Sequence, residues 1–449
     1  MRHIASIPLV VALLVLSTAA LEDAFLNVTA LISLKATPGS QQAQGVLKRK
    51  ADEFATKSTK YALTRNPAIP SSIPRGTYVS YAVYFHPDCS LPINKALTNC
   101  KWTRKDGSRN TEVGKLSDNP GDLKGVCDAV RTLSLAYGIY QDTRYATAAL
   151  DILKSFFINP ETAMLPNLDY GQIEPGTQTK KYGDKGRPAG LIESRCLGNM
   201  FIASQTLAKA PGAETTLAGV RKWVGSFVEW FKSSEIGKDE ILSANNHGTA
   251  AAFQLAAFYT FLGDKTSAAA AINSFLKGAY LKQIAADGSM PLEADRNDGF
   301  HYSLMNLYML INLAGVAESL GINMWKAPAG EGRTLQTAID FYLPYAHKEK
   351  TFTNKGGQGV QLEPLVYPFQ MAAAHYGDSG QKYRGAIQAI AKPSYNPTNQ
   401  AYLYTDMSYG LSSKGVKREN SANDESSTPK SKISKTDGSK RKSLKPDST

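Results

Sequence analysis

The sequence lacks the features of several protein classes. No apolar run in the 449 residues reaches the roughly 20 residues of a membrane-spanning helix. There are four cysteines but no CxxC-like pair, which argues against a zinc site. The sequence has no loop dense in carboxylates of the kind that binds calcium. Patterns typical of β-strands are sparse. We therefore predict an all-α protein with no membrane span, no metal and no cofactor.

The positive charge is not concentrated. A formal net charge of +12 favours anionic partners such as nucleic acid, acidic lipid or acidic polysaccharide. The segment from Lys414 onward holds ten Lys/Arg and five Asp/Glu, so the rest of the chain is only mildly basic. The basic stripe typical of nucleic-acid-binding proteins is missing. We expect no nucleic-acid partner.

The N-terminal residues indicate secretion. A short basic start, an apolar run over 7–16 and small residues at 18–20 are typical of a signal peptide, which we place at residues 1–20. Asn27 opens a glycosylation sequon, which is consistent with an extracellular protein.

An even number of cysteines in an oxidising compartment makes two disulfides plausible. Cys89 and Cys100 are close enough in sequence to close one loop, which leaves Cys127 and Cys196 as a longer-range pair.

Most of the chain has the apolar spacing of helices. The predicted helices are 122–138, 143–157, 190–209, 213–233, 247–262, 265–285, 301–320, 334–347, 362–376 and 380–391. Three similar junctions, at Asp142, Gly263-Asp264 and Gly377-Asp378, each join an aromatic helix end to a new helix. Helical hairpins with one apolar face must bury it on their neighbours, so about five of them predict an incomplete α/α toroid or a solenoid.

The remaining boundaries follow from composition. Residues 21–76 form an N-terminal lead-in, 77–395 the toroid with a loop-rich N-terminal segment, and 396–412 the end of this domain. Residues 413–449 are rich in Ser, Lys, Asp and Thr with almost no large apolar residues, which predicts a disordered tail.

Loop lengths predict the position of the site. In successive antiparallel hairpins the helices that begin near 122, 190, 247, 301 and 362 open on one common rim, where the connections are long, whereas the opposite connections are short. Long loops on a rigid scaffold are the usual location of binding and catalysis.

Asn246 and His247 begin one of these helices. A helix N-terminus disfavours imidazolium, so His247 is predicted to be a neutral ring that can accept a proton. The alternative is a helix cap, with Asn245 or Asn246 bonded to free N–H groups and His247 packed in place.

Arg296, His301 and Tyr302 lie at the start of the next parallel helix. Arg296 can neutralise a carboxylate and Tyr302 can hold or donate a proton. Alternatively, Arg296 pairs with Asp295 or Asp298 and Tyr302 belongs to the core.

Two loops supply candidate substrate-binding residues. The first carries Asn167, Tyr170, Gln172 and Arg187, whose amide and aromatic groups suit sugar hydroxyls, and the second carries His86. Alternatively, the first loop is a plain surface loop, and the second is an aromatic loop that packs over the toroid.

The ordered motifs of this chain resemble the alginate lyase domain family. Asn245-Asn246-His247 is followed by Asp287 to Glu293, then Arg296 and Tyr302, and Tyr84-Phe85-His86-Pro87 with Asp106 to Asn110 precede them. Asn167, Tyr170, Gln172, Pro175-Gly176 and Gly190 to Glu193 continue the match in order. The resemblance runs from about Thr77 to Trp325.

The resemblance implies an α/α toroid that cleaves uronic-acid polysaccharide by β-elimination. It places Asn246 and Arg296 at the substrate carboxylate, His247 as base or neutraliser, and Tyr302 as proton donor, with His301 as the alternative acid. No metal is required for this chemistry. We expect a secreted monomer that acts on alginate, polymannuronate or glucuronan.

Two rival functions remain open at this point. A toroidal glycoside hydrolase needs two carboxylates across the cleft, which Glu193, Glu293 and Asp295 can supply. The second rival function is that of a wall protein that binds carbohydrate without catalysis.

Overall fold

A computed structural model of the protein describes residues 41–56, 61–65 and 69–390. The predicted signal peptide, the sequon at Asn27 and the predicted tail 413–449 lie outside the described residues. The α-helices in the described ranges are α1 Gln41–Thr56, α2 Ile93–Asn99, α3 Thr111–Gly114, α4 Asn119–Tyr140, α5 Thr143–Phe157, α6 Cys196–Ser204, α7 Ala213–Ser233, α8 Glu235–Ile241, α9 Asn246–Leu262, α10 Lys265–Lys277, α11 Pro291–Ala294, α12 Gly299–Ser319, α13 Leu335–Asp340, α14 Leu343–Ala346, α15 Val366–Tyr376 and α16 Lys382–Ile390.

All ten predicted segments are helical over most of their described residues, but several of them are divided or combine α-helix with 3₁₀ helix. The segment 190–209 consists of α6 flanked by two 3₁₀ helices, Pro188–Arg195 and Gln205–Lys209. The segment 265–285 ends its α-helix at Lys277, where Gly278 follows. The segment 334–347 is split into α13 and α14, because Pro344 opens a new helix rather than continuing the old one.

The tight turns between paired helices have the expected chemistry. Asp142 lies between α4 and α5, and its carboxylate accepts a hydrogen bond from the Arg144 N–H. Gly263 ends α9 in the left-handed conformation that glycine adopts without strain, and the Asp264 side chain caps α10. At the third turn, Asp378 accepts from backbone N–H groups in the following helix.

The helix pairs form the predicted α/α toroid. The first helices of the pairs, α4, α6, α9 and α12, contact one another in sequence order. They are buried on nearly every side. Their partners α5, α7 and α10 bury only one face, as expected of an outer layer. The starts of the inner helices therefore share one rim.

Helix α1 was missing from the sequence interpretation, which treated residues 21–76 as a lead-in. It packs on α4 and α5, and its Leu47 and Ala51 are fully buried in the main core. The Tyr145 hydroxyl donates to Asp52 at 2.6 Å, which fixes the helix to the first hairpin.

Four short strands of three or four residues were also not expected from the sequence. Three of them precede α4, and the fourth follows α5. Strand β1 (Val79–Tyr81) runs parallel to β4 (Tyr170–Ile173). Strand β2 (Phe85–Pro87) pairs antiparallel with β3 (Trp102–Arg104). These strands pack around a small second cluster that includes Val79, Phe85 and Trp102.

Both predicted disulfides are present. Cys89 pairs with Cys100 across a Cα–Cα distance of 6.1 Å, which closes the β2–β3 hairpin. Cys127 pairs with Cys196 at 5.9 Å and joins α4 to α6. In the described ranges, no helix has the length and apolar character needed to cross a bilayer.

Candidate active site

A cleft of about 690 Å³ opens on the rim where the inner helices begin. Residues at the starts of α4, α9 and α12 line it, together with the 3₁₀ helix Pro188–Arg195 and residues from β1 to α3. A further space of about 650 Å³ adjoins the cleft and shares Arg104, Arg187, His247 and Arg296 with it. The helix predicted to begin near 362 was expected on the same rim, but among the described residues none of its side chains lines the cleft or the adjoining space.

His247 lies in the first turn of α9, and Asn245 is the residue that caps this helix. The Asn245 amide oxygen accepts from the His247 backbone N–H at 3.2 Å. The imidazole Nδ1 lies 2.7 Å from Oε1 of Glu240, whose side chain is buried. The carboxylate favours the tautomer with hydrogen on Nδ1, because only that form donates to it. Nε2 is then the nitrogen available to a ligand in the cleft.

Asn246 is fully buried, yet its side-chain amide has no partner. Its backbone N–H donates to Oε1 of Glu293 at 2.6 Å, but neither Oδ1 nor Nδ2 has a hydrogen-bond partner among the described residues. Leaving a buried polar group unsatisfied costs about 1–3 kcal/mol. Because Asn246 lines the cleft, a bound ligand is the natural source of the missing hydrogen bonds.

Arg296 is held by two carboxylates, neither of them at the positions considered from the sequence. Its Nε and Nη2 lie 3.3 and 3.2 Å from the Asp106 carboxylate, and Nη1 lies 3.2 Å from Glu293. Its guanidinium carbon lies 3.3 Å from the centre of the Tyr302 ring. Arg296 therefore places a positive charge against the face of this phenol.

The Tyr302 hydroxyl bonds to the Tyr84 hydroxyl across the cleft. The Tyr302 side chain is nearly buried but lines the cleft. Burial raises the pKa of Tyr302 far above its ordinary value, the neighbouring Tyr84 hydroxyl adds to this increase, and the Arg296 cation acts in the opposite direction. Tyr302 is thus a neutral phenol at pH 7 with a cation ready to stabilise its ionised form.

His301, the alternative acid, also lines the cleft. Its ring is half-buried, and its centre is 5.5 Å from that of Tyr302. Burial lowers the pKa of His301, although Asp298 opposes the shift. A ring with this pKa is neutral at pH 7, so His301 is a poor proton donor there.

Gln172 and Arg187 line the cleft within one hydrogen-bond network. Arg187 donates to Oε1 of Gln172 at 2.9 Å, and the Gln172 backbone N–H donates to Ser80 at 2.7 Å. Ser80 and Tyr78 both donate to Glu193. Burial raises the pKa of Glu193, which these bonds partly offset.

Three predicted binding residues do not line the cleft. His86 lies with Nε2 at 3.0 Å from the Ser108 carbonyl. The Asn167 side chain accepts from the Asp169 N–H within its own loop. Tyr170 packs against the small strand cluster. Each serves the local structure of its loop, because its side chain faces neighbouring chain rather than the cleft.

Sequence reasoning missed three contacts of the site. Glu240 was not considered, because its only mark in the sequence is a position seven residues before His247. Tyr84 and Asp106 were noticed within motifs but not as partners of Tyr302 and Arg296, which lie 218 and 190 residues away. Separations of this size leave no periodic signal.

The cleft is rich in positive charge. The arginines along it are Arg104, Arg109, Arg187, Arg195 and Arg296, against the acidic Asp118, Asp122 and Glu193. An excess of cations in a concave site raises the local concentration of anionic ligands.

The carboxylates considered for a hydrolase are already engaged or lie on the surface. Glu293 bonds to Asn246 and Arg296, and Glu193 accepts from Tyr78 and Ser80. Asp295 is exposed and pairs with Lys355. Within the described ranges, Asp88, Cys89 and Cys100 form the group of three side chains whose ligand atoms lie close enough together to hold a metal ion. The sulfurs of the two cysteines are joined in a disulfide.

Comparison with known proteins identifies the relatives of this chain. The alginate lyase family model matches residues 48–352. An alginate lyase from Bacteroides ovatus is similar over 84% of this chain and 96% of its own, with 27% identity and a TM-score of 0.74. Alginate lyase A1-III from Sphingomonas species A1 is similar over 86% of this chain and 96% of its own, with 13% identity and a TM-score of 0.51.

A variant of alginate lyase A1-III solved with a tetrasaccharide has 13% identity and a TM-score of 0.54, and covers 84% of this chain and 97% of its own. These A1-III likenesses bear on the fold alone. No curated protein matches the sequence.

Proposed function

The chain belongs to the alginate lyase family and is a polysaccharide lyase, and from this premise we propose that it cleaves 4-linked uronic-acid polysaccharide by β-elimination. The observation that carries the proposal is the unpartnered amide of buried Asn246, on the same cleft as His247 and Tyr302. An amide donor, an imidazole and a phenol are the groups that this reaction needs.

Asn246 and His247 hold the substrate carboxylate. The proton at C5 of a uronate is removable only when the adjacent carboxylate is neutralised, since negative charge develops on that group in the transition state. Nδ2 of Asn246 donates one hydrogen bond to it. His247 supplies a second contact through Nε2, with Glu240 behind the ring to stabilise positive charge on it.

Arg296 acts on Tyr302 rather than on the substrate. Three of its five N–H donors bond to the carboxylates of Asp106 and Glu293, and its flat face covers the Tyr302 ring. A cation in this position stabilises the phenolate more than the phenol. We therefore assign Arg296 to the proton-transfer step, although the family resemblance implies a role at the substrate carboxylate.

Tyr302 carries the proton. Its ionised oxygen takes the C5 proton, the electron pair left on C5 forms the C4–C5 double bond, and the C4–O4 bond breaks. The Tyr302 hydroxyl then returns the proton to O4. In mannuronate and glucuronate both groups leave from one face of the ring, so one residue serves both steps. The substrate is accordingly polymannuronate or glucuronan.

The pKa of Tyr302 sets the direction of the pH dependence. The active form is the phenolate, and burial raises the pKa of this phenol. The ionised fraction therefore grows as pH rises through the neutral range. We expect kcat/KM to increase from about pH 6 to about pH 9.

The remaining features are proposed from the sequence. Secretion is supported by the signal-peptide pattern of residues 1–20 and by disulfides of the kind that persist in oxidising compartments. An acidic polymer suits the arginine-rich cleft. The steps above use side chains alone, so we propose a metal-independent reaction.

The test is product formation from defined polymers. Elimination creates a conjugated double bond that absorbs in the ultraviolet, whereas hydrolysis creates reducing ends without it. We expect absorbing products from polymannuronate or glucuronan, little from polyguluronate, and an unchanged rate with a chelator. Carboxyl-reduced polymer is the matched control, because its C5 proton is not acidified. Reducing ends without absorbance would refute the lyase.

A further inference from the structure

Glu293 is a buried carboxylate that the reaction steps above do not use. Its side chain is 1% exposed, and it belongs to α11, the four-residue helix that precedes α12. Oε1 accepts from the Asn246 backbone N–H at 2.6 Å, and Oε2 accepts from Nη1 of Arg296 at 3.2 Å. One carboxylate therefore contacts both parts of the site, the residue at the substrate carboxylate and the cation at Tyr302.

Short-range hydrogen bonds fix the backbone that carries Glu293. Pro291 opens α11, and the Glu293 N–H donates to the Met290 carbonyl at 2.9 Å. The Arg296 N–H donates to the Glu293 carbonyl at 3.1 Å, so the acid and its cationic partner share one turn of the chain. The carboxylate is therefore presented from a defined position.

The start of α9 is held by two side chains from the region between α10 and α12. Nε2 of buried Gln283 donates to the Ala244 and Asn245 carbonyls at 3.0 and 3.1 Å. Glu293 takes the next backbone group, the Asn246 N–H. The two contacts differ in charge, because Gln283 is neutral and its other bonds go to side chains of the packed helices α9 and α12. Glu293 instead joins the start of α9 to a charged group of the site.

We infer that Glu293 is a positioning residue that couples the two parts of the reaction, because its one carboxylate fixes both the Asn246 backbone and the Arg296 guanidinium. The inference rests on the proposed function. Through Asn246, Glu293 places the amide that binds the substrate carboxylate. Through Arg296, it places the cation that stabilises the Tyr302 phenolate. Glu293 itself neither gains nor loses a proton in the cycle.

Burial makes Glu293 a stronger partner for Arg296 than Asp106 is. The Asp106 side chain is 27% exposed, and a charge pair interacts more strongly where water is excluded. Burial raises the pKa of Glu293, while the Asn246 N–H and the Arg296 cation act in the opposite direction. These two partners offset the cost of burying the carboxylate, so loss of the carboxylate affects both of them at once.

The kinetic test compares two substitutions of Glu293. Glu293→Gln keeps an oxygen for the Asn246 N–H but presents no anion to Arg296, so kcat should fall by about 10- to 100-fold while KM changes by less than about threefold. Glu293→Met has a similar size but accepts from neither partner, so KM should also rise by about tenfold. Glu318→Gln is the control, because it makes the same change at an exposed position of α12.

Two kinetic results would contradict the coupling. An unchanged kcat in Glu293→Gln would show that the Arg296 contact has no effect on proton transfer, which overturns the inference. Equal KM values in Glu293→Gln and Glu293→Met also overturn it, because they would show that the placement of Asn246 does not depend on the carboxylate.

A second measurement does not need turnover. Fluorotyrosine incorporated at position 302 alone gives a fluorine NMR signal that responds to the cation over its ring. In Glu293→Gln the signal should move toward its position in Arg296→Met, because the guanidinium loses a partner that holds it. Gln283→Met is the matched control, since it removes a buried amide that holds the neighbouring backbone and should leave the signal in place.

A fluorine signal that stays in place in Glu293→Gln, or that moves equally in Gln283→Met, overturns the inference. Failure of the proposed function has a different readout. A wild-type protein that forms no lyase products would refute that function, and the fluorine signal would still decide whether Glu293 holds Arg296 over the ring.

Discussion

The two walls of the cleft are built differently, and they contribute differently to the site. The helical wall carries Asn246, His247 and Tyr302 on α9 and α12, which have 17 and 21 residues and pack on each other in the core. The hairpin wall is the segment 82–110, whose strands have three residues each. A two-stranded ladder of this size is marginal alone.

The hairpin wall is held by specific side-chain ties. The Cys89–Cys100 disulfide closes it, and Asp106 and Tyr84 attach it to Arg296 and Tyr302. The difference teaches that the groups proposed to act on substrate lie on the rigid core, while the hairpin supplies partners that adjust them. Changes in the helical wall should therefore reduce kcat, whereas loss of the Asp106 tie in the hairpin wall should act first on KM and stability.

The largest effect is expected for Tyr302→Phe. Loss of the group that moves the proton should lower kcat by about 10³-fold or more, because general acid–base catalysis contributes that much. Polymer binding, measured by calorimetry, should stay near the wild-type value. Tyr308→Phe is the control, since it lies on the same helix with its hydroxyl on the Pro364 carbonyl. Near-wild-type turnover would transfer the acid role to His301.

A smaller effect is expected for Glu240→Gln, which alters the helical wall from behind. The amide removes the negative charge opposite Nδ1 of His247 and can present an N–H group to it. We expect kcat to fall by about 10- to 100-fold, the loss typical of removing an outer partner that orients a histidine. Glu235→Gln, at an exposed position of the same helix, should be neutral. Equal rates for both variants would contradict the proposed role of His247.

The smallest effect is expected for Asp106→Asn in the hairpin wall. Asp106 is partly buried and pairs with both Arg296 and Arg104. Loss of its charge should raise KM several-fold and reduce the free energy of unfolding by about 1–2 kcal/mol, with kcat less affected than by Glu240→Gln. Thermal unfolding and steady-state kinetics measure both. Asp88→Asn, at an exposed position of the same hairpin, is the control. A loss confined to kcat would erase the distinction between the walls.

Much of this architecture was predictable from local patterns. Apolar periodicity located the helical segments, and the Asp and Gly residues at 142, 263–264 and 377–378 marked the turns between them. Interruptions such as Gly278 and Pro344 were less visible, because a helical pattern continues on both sides of them. Helix α1 was missed because its few apolar residues become informative only when they meet α4 and α5.

The sequence by itself determined the helix pairs and the position of Asn246, His247 and Tyr302 at helix starts on one rim. These follow from interactions over a few residues and from the parallel direction of alternate helices. Only the tertiary structure decided that Glu240 orients His247, that Asp106 and Glu293 occupy Arg296, and that Tyr84 reaches Tyr302. The reason is physical: a side-chain hydrogen bond requires atoms within about 3 Å, and a placement that close depends on how the whole hairpin docks on the toroid.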